Sequence, residues 1–228
     1  MVLRPTPGDP LRDLAVAEEL IEAEKQAVAH FREVAELLSG LPARRLAEIA
    51  AVFQSIRQNR GVLYVVGGDN RVNTALLLTT ELAGSQPPGE SPLRVVCLNG
   101  SPGQTSDRAG DPGSEETFFN SLEEQLGDQD AVLAISASGR SPNCLKALSF
   151  ARAQGVKTLG LLGVDGSPAH PLCDLHFSVP SEDFLDKEDS RMEDIYRVVC
   201  HAISRILRTA ASAEADRRGM AVPSRHSV

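Results

Sequence analysis

The sequence predicts an α/β protein built on a five-stranded parallel sheet flanked by helices, with a long N-terminal helix ahead of it. Three observations predict this class. Short β-rich apolar runs recur at 62–66, 94–98, 131–135, 157–162 and 175–179, and segments with helical apolar spacing lie between them. That alternation is the pattern of a parallel sheet with helical crossovers. The run at 62–66 is apolar at every position, as a strand covered on both faces requires. The runs at 62–66 and 131–135 each stop at a cluster of Gly, Ser, Asp or Asn, the composition of a turn.

Taken in order, residues 1–10 hold three prolines and a glycine and read as an irregular arm. A helix is predicted over 11–39. Its Leu14, Ile21, Val28 and Ala35 fall seven apart, with Ala17, Phe31 and Leu38 offset by three, a seam broken only by Glu24. Such a seam suits helix-on-helix packing between subunits, and period alone fits an amphipathic helix lying on its own core equally well. Gly40 stops this helix and Pro42 opens a second over 43–59, with Leu46, Ile49, Ala50, Phe53 and Ile56 inward. After the first strand a helix is expected over 71–82, then a Pro- and Gly-rich loop over 84–92 and the second strand. The stretch 99–113 carries four glycines and two prolines and reads as a long loop at a strand's end. Helix 114–126 leads to the third strand, helix 141–154 to the fourth, and a short turn region over 163–173 to the fifth. An acidic loop, 180–189, precedes a last helix over 190–210 with Met192, Ile195, Val199, Ile203 and Ile206 inward. The organisation is an arm and oligomerisation helix (1–42), one domain (43–210) and a tail (211–228) expected to be mobile.

The totals bound the function. The chain of 228 residues is 42% hydrophobic and 24% charged, an ordinary globular balance with enough length for a sizeable core. A net charge of −8 argues against direct binding to nucleic-acid backbones, while leaving room for a local basic pocket. The four cysteines are far apart with no CxxC, so neither a disulfide framework nor a cysteine zinc site is expected. No apolar run approaches the ~20 residues of a membrane span, and no charged-then-apolar signal pattern opens the chain, so a cytoplasmic protein without a membrane partner is expected.

One stretch concentrates chemistry. Ser136, Ser138, Gly139, Arg140, Ser141 and Asn143 follow a strand and open a helix, so hydroxyls, free amides and the positive end of a helix dipole converge. These residue types also serve as plain turn and cap residues. Their density favours an anion site, of which Arg140 is either a contact or a solvated neighbour. Gly67 and Gly68, followed by Asp69, Asn70 and Arg71, end the first strand and let backbone amides approach a ligand. The turn is not GxGxxG and no Walker lysine follows, which argues against dinucleotides and ATP. In an open parallel sheet both clusters fall on the edge where ligands bind.

The run from Ser136 to Asn143 resembles the SxSGxSxN phosphate loop of the sugar isomerase (SIS) domain, a flavodoxin-like three-layer sandwich. The run from Ser190 to His201 resembles that family's last helix. The layout is most similar to the phosphoheptose isomerase branch, which includes the DnaA initiator-associating proteins. The resemblance implies a phosphorylated sugar held by Ser136, Ser138 and Ser141, and a homotetramer. It also implies a base at Glu81 and its proton-shuttling partner at His201, a pair suited to aldose–ketose isomerisation without a redox cofactor. Glu81 reads equally well as an exposed helix carboxylate, and His201 also fits a packed histidine. The other histidines, His30, His170, His176 and His226, carry no such support, and nothing fixes the direction of Asp107 or Asp111.

Departures from the family pattern fall at the same site. Its glycine-rich turn becomes Gly67 to Arg71, with Asp69 where a phosphate-facing glycine is expected and Arg71 as a compensating charge. The family's zinc-ligand histidine one turn before Glu81 is Leu77, its glutamine on the last helix is Glu193, and the nearby histidine is Tyr196. The loop before the last helix is lengthened around Phe184 to Glu188. The sequence itself requires no cofactor; zinc enters by resemblance, with Glu81, Glu193 and His201 as the remaining donors. Two functions follow as expectations: an isomerase acting on a sugar phosphate such as sedoheptulose 7-phosphate, or a non-catalytic regulatory protein similar to the DnaA initiator-associating group.

Overall fold

The computed structural model describes residues 10–68, 71–85, 91–100, 117–163, 166–179 and 190–217. Asp69, Asn70, Asp107, Asp111, the lengthened stretch from Phe184 to Glu188, His226 and the end of the tail lie outside them. The chain divides into two compact units, Met1–Gly40 and Leu41–Val228. The first contains α1 (Pro10–Ser39), a 30-residue helix whose Leu20, Ile21, Val28 and Phe31 are exposed.

The second unit runs α2 (Ala43–Gln58), β1 (Val62–Gly67), α3 (Val72–Ala83), β2 (Arg94–Cys97), α4 (Thr117–Gln125), β3 (Ala131–Ser136), α5 (Pro142–Ala153), β4 (Lys157–Leu162), β5 (Leu175–Ser178) and α6 (Ser190–Arg217). All four strand pairings are parallel, in the order β2-β1-β3-β4-β5. The expected five strands are the strands that form. Every residue of β1 and β3 is buried, because helices cover both faces. Tyr64, Val66, Val132 and Ala134 share a core cluster with Phe118 and Leu122 of α4 and Ala147 and Leu148 of α5. Side chains alternate across a strand, so Leu63, Val65, Leu133 and Ile135 face the opposite layer. There α2 and α3 pack on the sheet and α6 packs on both helices.

All five inward positions expected of α2 are buried. The last helix differs in extent and in one inward residue. It continues to Arg217 rather than stopping near 210. Its core stripe ends on Leu207, not Ile206, which is only half-buried. Met192, Ile195, Val199 and Ile203 set a row that reaches 207 by a four-residue step, and one residue's rotation turns 206 off the face.

The strand order places a switch point between β1 and β3, since the chain leaves β1 toward β2 on one side and returns to β3 on the other. Register then brings the two sequence clusters together. Gly67 pairs with Ile135, and the Gly68 amide donates to the Ile135 carbonyl at 2.9 Å.

Candidate functional site

At the tip of β3 the chain makes a tight loop closed by its own hydroxyls. The Gly139 amide donates to Ser136 Oγ at 2.9 Å and the Arg140 amide to Ser138 Oγ at 3.1 Å. Gly139 has φ of +59°, the left-handed region, and a side chain there would overlap Ser167 of the following turn. Ala169 donates its amide to the Gly139 carbonyl at 3.1 Å, so that turn braces the loop from behind. Ser141 is the N-cap of α5 with Pro142 at the first helical position. The Ser141 hydroxyl donates to Asn143 Oδ1, which also accepts from the Cys144 amide at 2.9 Å. The serines are thus cap and turn residues around a helix N-terminus. Pro142 carries no amide there and the Cys144 amide is taken by Asn143, so the hydroxyls and the positive end of the helix dipole are what suit an anion.

Gly68 lies against this loop, where a Cβ would overlap the Ser141 hydroxyl. Asn99, just beyond β2, holds the β1 tip from the other side. Its Oδ1 accepts from the Gly67 amide at 2.6 Å and its Nδ2 donates to the Gly67 carbonyl at 2.7 Å. Side chain replaces backbone, extending the β2–β1 ladder two residues beyond its last pair, Val65 with Cys97.

Arg71 caps α3 at the head of the site. Its guanidinium is almost wholly buried, pairs with Glu193 of α6 at 2.8 Å, and lies 5.8 Å from the centre of the Tyr196 ring. Glu193 also accepts from the Thr74 hydroxyl, 3.0 Å to one oxygen and 3.1 Å to the other. The buried Nε of Arg71 has no partner among the described residues.

Farther along the same two helices, α6 grips Glu81 at three successive points. His201 Nε2 stands 3.8 Å from one carboxylate oxygen and Arg208 Nη1 3.9 Å from the other. Between them the Ser204 hydroxyl donates to the Glu81 carbonyl at 3.3 Å. Positions 201, 204 and 208 fall on one helix face.

Burial, reinforced by the carboxylates of Glu193 and Glu81, pushes the neighbouring Cys200 thiol up from 9.0 to about 12. A thiol held protonated at neutral pH is a poor nucleophile.

The expected residues therefore gather at two points: Gly67, Gly68, Arg71, Ser136, Ser138, Gly139, Ser141 and Asn143 at the strand tips, and Glu81 with His201 farther down α3 and α6. Asn99, Thr74, Ser204 and Arg208 escaped the sequence reading. The last two share the face of His201 and were reachable by extending that face one and two turns. The loop that opens at Asn99 is expected at the binding edge, but its clamp on Gly67 has no local signal, because the partner is a backbone 32 residues away.

The implied zinc finds a poor donor set. Both oxygens of Glu193 are engaged by Thr74 and one by Arg71, Glu81 faces Arg208, and Leu77 supplies no ligand. Among the described residues no three His, Cys, Asp or Glu side chains form a metal-holding group.

A family model described as the SIS domain matches residues 105–183. The phosphoheptose isomerase of Pelobacter propionicus is 31% identical over 162 residues, covering 71% of this chain and 85% of that protein. That of Helicobacter pylori (strain HPAG1) is 29% identical over 182 residues, covering 80% and 94% respectively. Among solved structures, phosphoheptose isomerase from Neisseria gonorrhoeae superposes with a TM-score of 0.70 at 19% identity, over 82% of this chain and 99% of the other. At that identity the structural likeness speaks for the fold.

Proposed function

The chain belongs to the SIS-domain family, on its phosphoheptose isomerase branch, and on that premise we propose that it binds a phosphorylated sugar and interconverts its aldose and ketose forms. The observation that carries the reading is the pairing of Glu81 with His201, 3.8 Å apart across α3 and α6 though remote in sequence. The Glu81 carboxylate takes the proton from the carbon beside the carbonyl. His201 moves a proton between the two oxygens of the resulting enediol, and Glu81 returns its proton to the adjacent carbon. No electrons leave the substrate, so the reaction needs no redox cofactor.

The phosphate belongs at the strand tips, against the α5 N-terminus and the serine loop. Arg71 and Glu81 are separated by about 15 Å of helix rise, and helical side chains slant toward the N-terminus, so the Glu81 carboxylate reaches back toward the strand tips. An extended sugar chain of five to seven carbons, on the order of 10 Å, suits that span. The exposed apolar residues of α1 support a homo-oligomer, and the tetramer implied by the resemblance is the assembly we favour. Among the described residues no helix is long and apolar enough to cross a membrane.

A second reading, a regulatory sugar-phosphate sensor, is favoured by one observation: the Arg71–Glu193 pair stands where the family's pattern is altered. Proton exchange separates the two. In deuterated water an isomerase incorporates deuterium beside the carbonyl of sedoheptulose 7-phosphate or another ketose phosphate. Binding without exchange for every sugar phosphate would sink the enzymatic reading. Replacing Ser138 by Ala is expected to weaken sugar-phosphate binding about tenfold, the worth of one hydrogen bond to a charged group; unchanged affinity in calorimetry contradicts the loop's role.

A further inference from the structure

The two carboxylates left in the implied zinc set are each already opposed by a guanidinium. Glu193 is paired with Arg71 at 2.8 Å and Glu81 with Arg208 at 3.9 Å. With Glu193 so held, Glu81 and His201 remain, one donor fewer than the three protein ligands of a catalytic zinc. A dication entering here would also meet the fixed positive charge of Arg71. That charge is built into the site: the side chain is 8% exposed, packed beside Tyr196, and fixed to α6. It keeps one buried donor, Nε, without an acceptor among the described residues. A buried N–H without a partner is costly, and an oxygen of a bound ligand would complete the arrangement.

We propose that Arg71 replaces the metal: the site works without zinc, and the buried Nε of Arg71 donates to an oxygen of the bound sugar phosphate. Guanidinium suits this role because its planar fork can hold Glu193 through one nitrogen and present another to a ligand. Thr74 has a complementary part. By donating to Glu193, it fixes the carboxylate that orients Arg71. The zinc-free half of the proposal stands on the donor set alone. The ligand half rests on the phosphosugar reading.

The test uses the full chain after treatment with a chelator. Zinc chloride titrated into it is expected to give no saturable binding tighter than about 100 µM. The thermal stabilisation given by sedoheptulose 7-phosphate is expected to be the same with and without EDTA. Stoichiometric zinc that is lost in Glu193→Gln, or ligand stabilisation abolished by EDTA, overturns metal independence. For the ligand contact, Arg71→Met combined with Glu193→Gln removes both charges and leaves no orphaned carboxylate. Circular dichroism checks that it folds. Its affinity for the sugar phosphate is expected to fall about tenfold to a hundredfold; affinity equal to the parent overturns the role of Arg71. If no sugar phosphate stabilises the parent chain, the phosphosugar reading fails together with the ligand contact, and the zinc titration still decides the other half.

Discussion

In the proposed isomerase Glu81 meets two demands on one carboxylate: it must accept a proton and stay aimed. His201 and Arg208 each hold one oxygen, and Ser204 pins the carbonyl of the same residue. Glu81→Gln keeps the shape and removes the basicity, so kcat is expected to fall about a hundredfold to ten-thousandfold with little change in thermal stability. His201→Asn should lower kcat with a smaller effect on binding. A parallel loss of binding in either variant points to misfolding and calls for a circular-dichroism check. Two thiols contribute to the alkaline limit. Cys173, through burial and the neighbouring Asp174, and Cys200, through burial and the glutamates, are both raised from 9.0 to about 12. The folded chain thus holds these protons more tightly than the unfolded one. Their stabilising contribution is complete below pH 9 and is lost as the pH rises from about 9 toward 12. Chemical denaturation across pH 8 to 11 is expected to show that decline, and Cys200→Ala should flatten it.

The strand tips are joined by contacts that leave no spare volume. Gly68→Ala sets a methyl against the Ser141 hydroxyl and is expected to destabilise by about 1–3 kcal/mol, because the α5 N-terminus must shift to admit it. The same shift should weaken sugar-phosphate binding. Asn99→Ala removes both side-chain bonds to Gly67 and frees the end of β1, at a cost of about 2 kcal/mol by urea denaturation. If stability is unchanged, the Asn99 clamp is not what holds the tip. These effects belong to the β1–α3 and β3–α5 junctions as units. The parallel register of β1 and β3 carries a disturbance at one tip to the other.

At the scale of the molecule the two units differ in how they meet water. The unit beginning at Leu41 buries most of its described apolar residues in two layers against the sheet, with Leu76, Val96 and Val198 exposed, whereas α1 leaves Leu20, Ile21, Val28 and Phe31 exposed in the single chain. A second copy is the covering we propose. Substituting both Ile21 and Phe31 with Lys is expected to lower the particle mass in sedimentation equilibrium while the second unit stays folded. An unchanged mass removes α1 from the interface.

The sequence by itself determined the α/β class, the five strands and the serine loop, because these rest on local chemistry: apolar runs, helical period, and turn residues at a strand's end. The pairing of Glu81 with His201 came only through the resemblance that its motifs carry. Only the tertiary structure decided what faces those residues. Whether Glu193 holds a metal or Arg71 depends on where α6 crosses α3, and which side chain completes the ladder at Gly67 depends on the end of β2. Such contacts join residues 32 to 122 positions apart. No local period or spacing encodes them, since packing of the whole second unit sets the distance between the helices.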